Sequence, residues 1–177
     1  QGMALLPRGG GTSQCGQTVN HALVLDNTKY LNSILKIDVK NQCCIVEPGI
    51  VLDELNRKLK PHGLWFPVDV STSSRATIGG MAANNSCGGR SIRYGIMRDN
   101  VHAIDAFLAD GSHAHFGQYD PKNPAPVGRL GEVLPDLLRL GTTYEDDILS
   151  SFPKILRRVG GYNIDALIPD AMALRPH

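Results

Sequence analysis

The chain has 177 residues, of which 18 are basic and 17 acidic, giving a formal net charge of +1 with 20% charged residues. That length suits one domain with a real core, and so even a charge balance offers no field for nucleic acid or an anionic membrane surface. No apolar run approaches membrane-spanning length and no signal peptide opens the chain, so the expectation is a soluble, cytoplasmic protein with no membrane span.

The first informative stretch is Pro7-Arg8-Gly9-Gly10-Gly11-Thr12-Ser13-Gln14-Cys15-Gly16-Gln17. Glycines in a run let backbone N–H groups turn toward one anion at close range, so a phosphate-bearing ligand is the first expectation. The common phosphate motifs fail. Gln17 stands where a nucleotide-triphosphate loop needs its lysine, and Gln14 occupies the third glycine position of the dinucleotide fingerprint G-x-G-x-x-G.

Next, Ala22–Leu25 reads as a short buried strand ending at the turn Asp26-Asn27. Ile34–Val39 alternates, with Leu35, Ile37 and Val39 on one face and Lys36 and Asp38 on the other, and Lys40-Asn41-Gln42 turns it into Cys43–Glu47 as a hairpin. Val51–Lys60 predicts a helix with Leu52, Leu55 and Leu59 on one stripe, ended by Pro61 and Gly63. Thr77–Ala83 predicts a short helix whose opening N–H groups face a ligand. It begins the second Gly-rich stretch, Thr77-Ile78-Gly79-Gly80-Met81-Ala82-Ala83-Asn84-Asn85-Ser86-Cys87-Gly88-Gly89.

Val101–Ala109 and His113–Phe116 predict a second hairpin about Asp110-Gly111. His113 and His115 share one strand face, which reads as a solvated face in the absence of further ligands nearby in sequence. Tyr119–Pro126 is a loop, its prolines too closely spaced for regular structure. From Leu130 to Arg158 the pattern is helical, with Pro135 and Pro153 expected to divide it and Leu130, Val133, Leu134, Leu137 and Leu138 expected in the core. Cys15, Cys43, Cys44 and Cys87 have neither zinc spacing nor disulfide density and read as reduced thiols. Strand pairs interspersed with helices make the fold class α+β.

Taken together, Pro7–Gln17, Phe66-Pro67-Val68-Asp69, Thr77–Gly89 and Tyr94-Gly95 resemble the FAD-binding (PCMH-type) domain of the vanillyl-alcohol-oxidase superfamily. Within it the chain resembles the branch of glycolate oxidase D-subunits, D-lactate dehydrogenases and D-2-hydroxyglutarate dehydrogenases. The resemblance implies a two-subdomain flavin fold with FAD clamped across both Gly-rich loops. It places the cofactor pyrophosphate against Pro7, Arg8, Gly9, Gly10, Gly11, Thr12 and Ser13, with Gly16 and Gln17 closing the loop. Pro67, Asp69, Ser71, Ser73 and Thr77 would contact the nucleotide, as would Ile78, Gly79, Gly80, Asn84, Asn85, Ser86 and Cys87. Gly88, Gly89, Tyr94 and Gly95 would shape the wall. Arg8 either adds a charge-assisted bond to phosphate or pairs with a nearby carboxylate. Thr12 stands where some members carry a flavin-linked histidine, which implies non-covalent FAD.

The same resemblance implies that residues 1–177 are a partial FAD-binding domain. The family's leading strand–helix unit, closing Gly-rich segment and cap or substrate domain have no counterpart, and a dimer through the exposed edge is expected. The flavin would take a hydride from a D-2-hydroxy acid and pass electrons to an acceptor protein or quinone. Arg157 and Arg158 stand where related dehydrogenases hold the substrate carboxylate, although arginines also favour helix C-termini for dipole reasons. The general base is expected in the cap. Two other readings remain open: an NADPH-dependent UDP-sugar enolpyruvate reductase of the same fold, and a non-enzymatic nucleotide-binding module.

Overall fold

The computed structural model describes residues 2–16, 18–120, 124, 126–155 and 157–168. They fall into two compact units, Gln1–Asn100 and Val101–His177.

In the first unit, β1 (Leu5–Arg8) pairs in parallel with β2 (Leu23–Asp26), Leu5 opposite Leu23 and Arg8 opposite Asp26. The expected strand forms, but it is not buried: Leu23, Val24 and Leu25 are 51%, 38% and 44% exposed. A continuous apolar run signals a strand suited to cover on both faces, and among the described residues no such cover is packed there. β3 (Ile34–Asp38) and β4 (Cys43–Val46) form the expected antiparallel hairpin. Its turn closes where Gln42, at φ 52°, donates its N–H to the Val39 carbonyl and Asp38 accepts the Asn41 N–H. A register irregularity between Ile34 and Lys36 breaks the alternation. Leu35 and Val39 are exposed, and of the expected apolar face Ile37 is half-buried.

α1 (Leu52–Leu59) forms as its periodicity predicts, with Leu52, Leu55 and Leu59 all buried. A 3-10 turn through Pro61 ends it at Gly63, whose φ of 70° is left-handed. The core of this unit gathers that stripe with Ile50, Val68, Ile78, Met81, Ile96 and Met97. Each fully buried aliphatic side chain of this kind contributes about 1.5–3 kcal/mol. α2 (Ile78–Ala83) and the single turn α3 (Ser91–Tyr94) complete the unit.

The second unit opens with β5 (Ile104–Phe107) and β6 (His113–Phe116), antiparallel about a turn in which Gly111 has φ 83° and Asp110 accepts from Ser112. His115 Nδ1 lies 2.9 Å and His113 Nε2 3.7 Å from Asp105 Oδ1, and the described residues hold no cluster fit for a metal ion. α4 (Arg129–Thr143) runs straight through Pro135. The expected division at Pro135 does not occur, and the helix packs near its C-terminal end, where Gly141 is buried against the backbone of Leu167, in the 3-10 turn Ile164–Leu167. The break falls instead at Tyr144, before α5 (Glu145–Ser151). Pro153 follows the helix end, with Phe152 in the extended conformation favoured before proline. Of the expected core leucines Leu130 is buried, Val133, Leu134 and Leu138 are half-buried, and Leu137 is exposed. All four cysteines are free, and burial beside Cys43 pushes the Cys44 thiol upward. Among the described residues no helix is long and apolar enough to cross a membrane.

Candidate cofactor site

β1 delivers Pro7 and Arg8 to the first Gly loop, which turns through Gly11 at φ 64°, a conformation that glycine adopts without strain. The facing segment is fixed by α1. Val51 offers that helix no side-chain cap, and the N–H groups of Leu52 and Asp53 donate instead to the carbonyls of Ala76 and Ser73, at 3.0 and 3.2 Å. The two loops then meet closely. A Cβ on Gly9 would run into the Thr77 hydroxyl and one on Gly10 into the Arg75 carbonyl oxygen. Thr72 Oγ1 also lies 3.4 Å from Thr12 Oγ1. These glycines thus permit loop-on-loop contact, beyond the approach of a ligand.

A cavity of about 330 Å³ opens here. Pro7, Arg8, Gly9, Gly10, Gly11, Thr12 and Ser13 line one side, and Thr77, Gly80, Asn84 and Ser86 line another. Among the described residues, the backbone N–H groups of Gly9, Gly10 and Gly11 have no acceptor. α2 differs from expectation. Ile78 N–H donates to the Ile50 carbonyl at 2.9 Å, Gly79 N–H to that of Pro48 at 2.8 Å, and Gly80 N–H to Thr77 Oγ1 at 3.3 Å. Its opening amides are therefore engaged by the protein, and the free donors belong to the first loop.

Arg8 Nη2 donates to Asp26 Oδ2 at 2.7 Å, so the carboxylate pairing left open by the sequence is formed. Asp26 also accepts from the Thr28 hydroxyl and N–H, and these bonds, followed by the Arg8 guanidinium, lower its carboxyl from 3.8 to about 2. Arg8 Nε is buried and has no hydrogen-bond partner among the described residues.

The pattern of the family described as FAD binding domain matches residues 1–117. The chain belongs to the FAD-binding domain family. A D-2-hydroxyglutarate dehydrogenase of Pseudomonas putida is 38% identical over 93% of this chain and 17% of its own length. The glycolate oxidase subunit GlcD of Bacillus subtilis is 39% identical over 60% of this chain and 23% of its own. The chain thus spans about a fifth of the curated relatives it matches. Among solved structures, an alkyldihydroxyacetonephosphate synthase superposes with TM-score 0.58 over 67% of this chain and 22% of its own, at 24% identity, which shows a shared α+β fold.

The cavity suits the family's cofactor. A dinucleotide pyrophosphate needs several donors, and three adjacent amides without acceptors, beside an arginine whose Nε is unpaired, are of the kind that it needs. Several residues that the resemblance carried to FAD serve the scaffold. Asp69 accepts the Arg90 N–H, and a Cβ on Gly88 would strike its carbonyl oxygen. Asn85, at φ 46°, accepts the Arg98 N–H; Gly95, at φ 80°, ends α3; Tyr94 packs edge-on against Trp65 with ring centroids 5.2 Å apart. Gly16, Pro67, Ser71, Ser73, Ile78, Gly79, Cys87 and Gly89 also lie off the cavity lining, and Gln17 lies outside the described residues.

Sequence reasoning missed Leu6, Thr18, Val70, Thr72, Ala76, Met81 and Ala83, which do line it. In the run Ser71-Thr72-Ser73-Ser74 the composition alone does not tell which hydroxyl faces the cavity. In the second unit, Arg158 ion-pairs with buried Asp165 and stacks 4.6 Å over the Phe152 ring, while Arg157 is exposed.

Proposed function

We propose that this chain forms part of the FAD-binding domain of a flavin-dependent oxidoreductase that oxidises a D-2-hydroxy acid of the D-lactate, glycolate or D-2-hydroxyglutarate type. The observation that carries the cofactor reading is the row of free amides at Gly9, Gly10 and Gly11, residues that line the cavity together with Arg8. The substrate class follows from the names of the relatives. FAD supplies the two-electron chemistry when bound. The chain's own residues hold it: the first loop and Arg8 take the pyrophosphate, Thr12 and Thr72 position the loops over it, and Asn84 and Ser86 offer polar groups from the α2 side. With threonine at position 12 the cofactor is held without a covalent bond.

Electrons pass to an acceptor protein or quinone, as the resemblance to the hydroxy-acid dehydrogenase branch implies. Four free thiols support a reducing, cytoplasmic setting. The exposed apolar strands β1 and β2 support a dimer through that edge. Arg157 and Arg158 remain the proposed carboxylate-holding residues.

The natural polypeptide that carries this chain, once purified, is expected to be yellow, to release FAD on acid precipitation, and to be bleached anaerobically by one of these hydroxy acids. Bleaching by NADPH with no response to any hydroxy acid would replace this reading with that of a nicotinamide-dependent reductase.

A further inference from the structure

Arg8 and Asp26 are directly opposed residues of the two parallel strands, which places their side chains side by side on one face at the end of β1, where the Gly loop begins. Three observations fix how the guanidinium is used. Its Nη2 is spent on Asp26 Oδ2 at 2.7 Å. Its Cδ lies 3.8 Å from where a Cβ on Gly11 would stand, so the end of the side chain lies along the loop that lines the cavity. Its Nε, one bond from that Cδ, is buried and has no hydrogen-bond partner among the described residues. The Arg8 side chain as a whole is 39% exposed, so it sits at the edge of the site, and an acceptor that arrives with the ligand would satisfy the covered Nε.

Asp26 is in turn immobilised, its Oδ1 receiving both the N–H and the hydroxyl of Thr28, at 2.9 and 2.6 Å, which leaves Oδ2 to face Arg8. Resting on the FAD reading above, we propose that Asp26, locked by Thr28, is a positioning residue that clamps one end of the Arg8 guanidinium so that Nε donates to a phosphate oxygen of the cofactor. Asp26 does not touch the ligand. It acts by holding a flexible, rotamer-rich side chain in one geometry before binding, which reduces the ordering cost paid at association.

The test is a double-mutant cycle on FAD affinity, measured by calorimetry on the apoprotein form of the natural polypeptide, with Arg8→Lys, Asp26→Asn and both together. Asp26→Asn is chosen because an amide can still accept from Thr28. The expected result is a roughly 5- to 20-fold rise in Kd for Arg8→Lys, a smaller rise of several-fold for Asp26→Asn, and no further rise when Asp26→Asn is added to Arg8→Lys. Apoprotein melting temperatures report folding separately, and Thr28→Val, which removes one of the two locks on Asp26, is expected to weaken FAD binding in the same non-additive way. Additive losses in the double variant, or an unchanged Kd for Arg8→Lys, would overturn the proposal while leaving the FAD reading intact. Failure of the unmodified apoprotein to bind FAD at all would overturn both.

Discussion

Gly10 shows why a side chain is excluded from the first loop. Its Cβ would meet the carbonyl oxygen of Arg75, a backbone atom that cannot rotate away. Gly10→Val is therefore expected to separate the loops, lower the melting temperature of the apoprotein, and raise the Kd for FAD at least tenfold. Loss of FAD with an unshifted melting temperature would show instead that the glycine serves ligand approach alone. Asp26 makes a second prediction at this scale. Its carboxyl is lowered from 3.8 to about 2, so the stability it contributes is present above the unfolded value near 3.8 and is lost as pH falls from there toward 2. Acid unfolding followed by circular dichroism should show the difference between native protein and Asp26→Asn shrinking across that window. A difference that stays constant below pH 3 would disprove the assignment. The sequence left open a carboxylate partner for Arg8 without naming Asp26, which strand pairing brings beside it across an intervening loop, and nothing local marks Gly10 as the neighbour of Arg75.

At the scale of elements, what was legible was local. The stripe Leu52, Leu55 and Leu59 made α1 readable because helical periodicity and burial coincide there, and the Asp110-Gly111 turn fixed the β5–β6 hairpin. The errors came where tertiary packing overrode a local signal. α4 passes Pro135 without a break, and it packs on the 3-10 turn at Gly141, buried beneath the Leu167 carbonyl. A helical Gly→Ala change normally stabilises by up to about 1 kcal/mol. Here the added methyl meets backbone, so Gly141→Ala is expected to destabilise by about 1–3 kcal/mol in chemical denaturation. A stabilised variant would mean that α4 and the 164–167 turn do not touch in solution.

For the whole molecule, a ligand held only by the folded site must stabilise it, by about 2.7 kcal/mol at a free concentration one hundred times Kd. Amide exchange in the natural polypeptide should slow on FAD addition at residues 9–13 and 72–84, with the opening amides of α2 already slow beforehand because they donate to protein carbonyls and to Thr77. Uniform protection throughout the chain would point to a different binding surface. The close seating of the two loops also bears on how the family can drift over time. Gly9 abuts a side chain, Thr77, whereas Gly10 abuts main chain. A descendant carrying alanine at position 9 can recover if position 77 becomes glycine, a replacement that an N-cap tolerates for a few tenths of a kcal/mol. No side-chain change at position 75 can do the same for position 10. Substitutions at 9 and 77 should therefore appear as correlated pairs among relatives, while position 10 stays fixed.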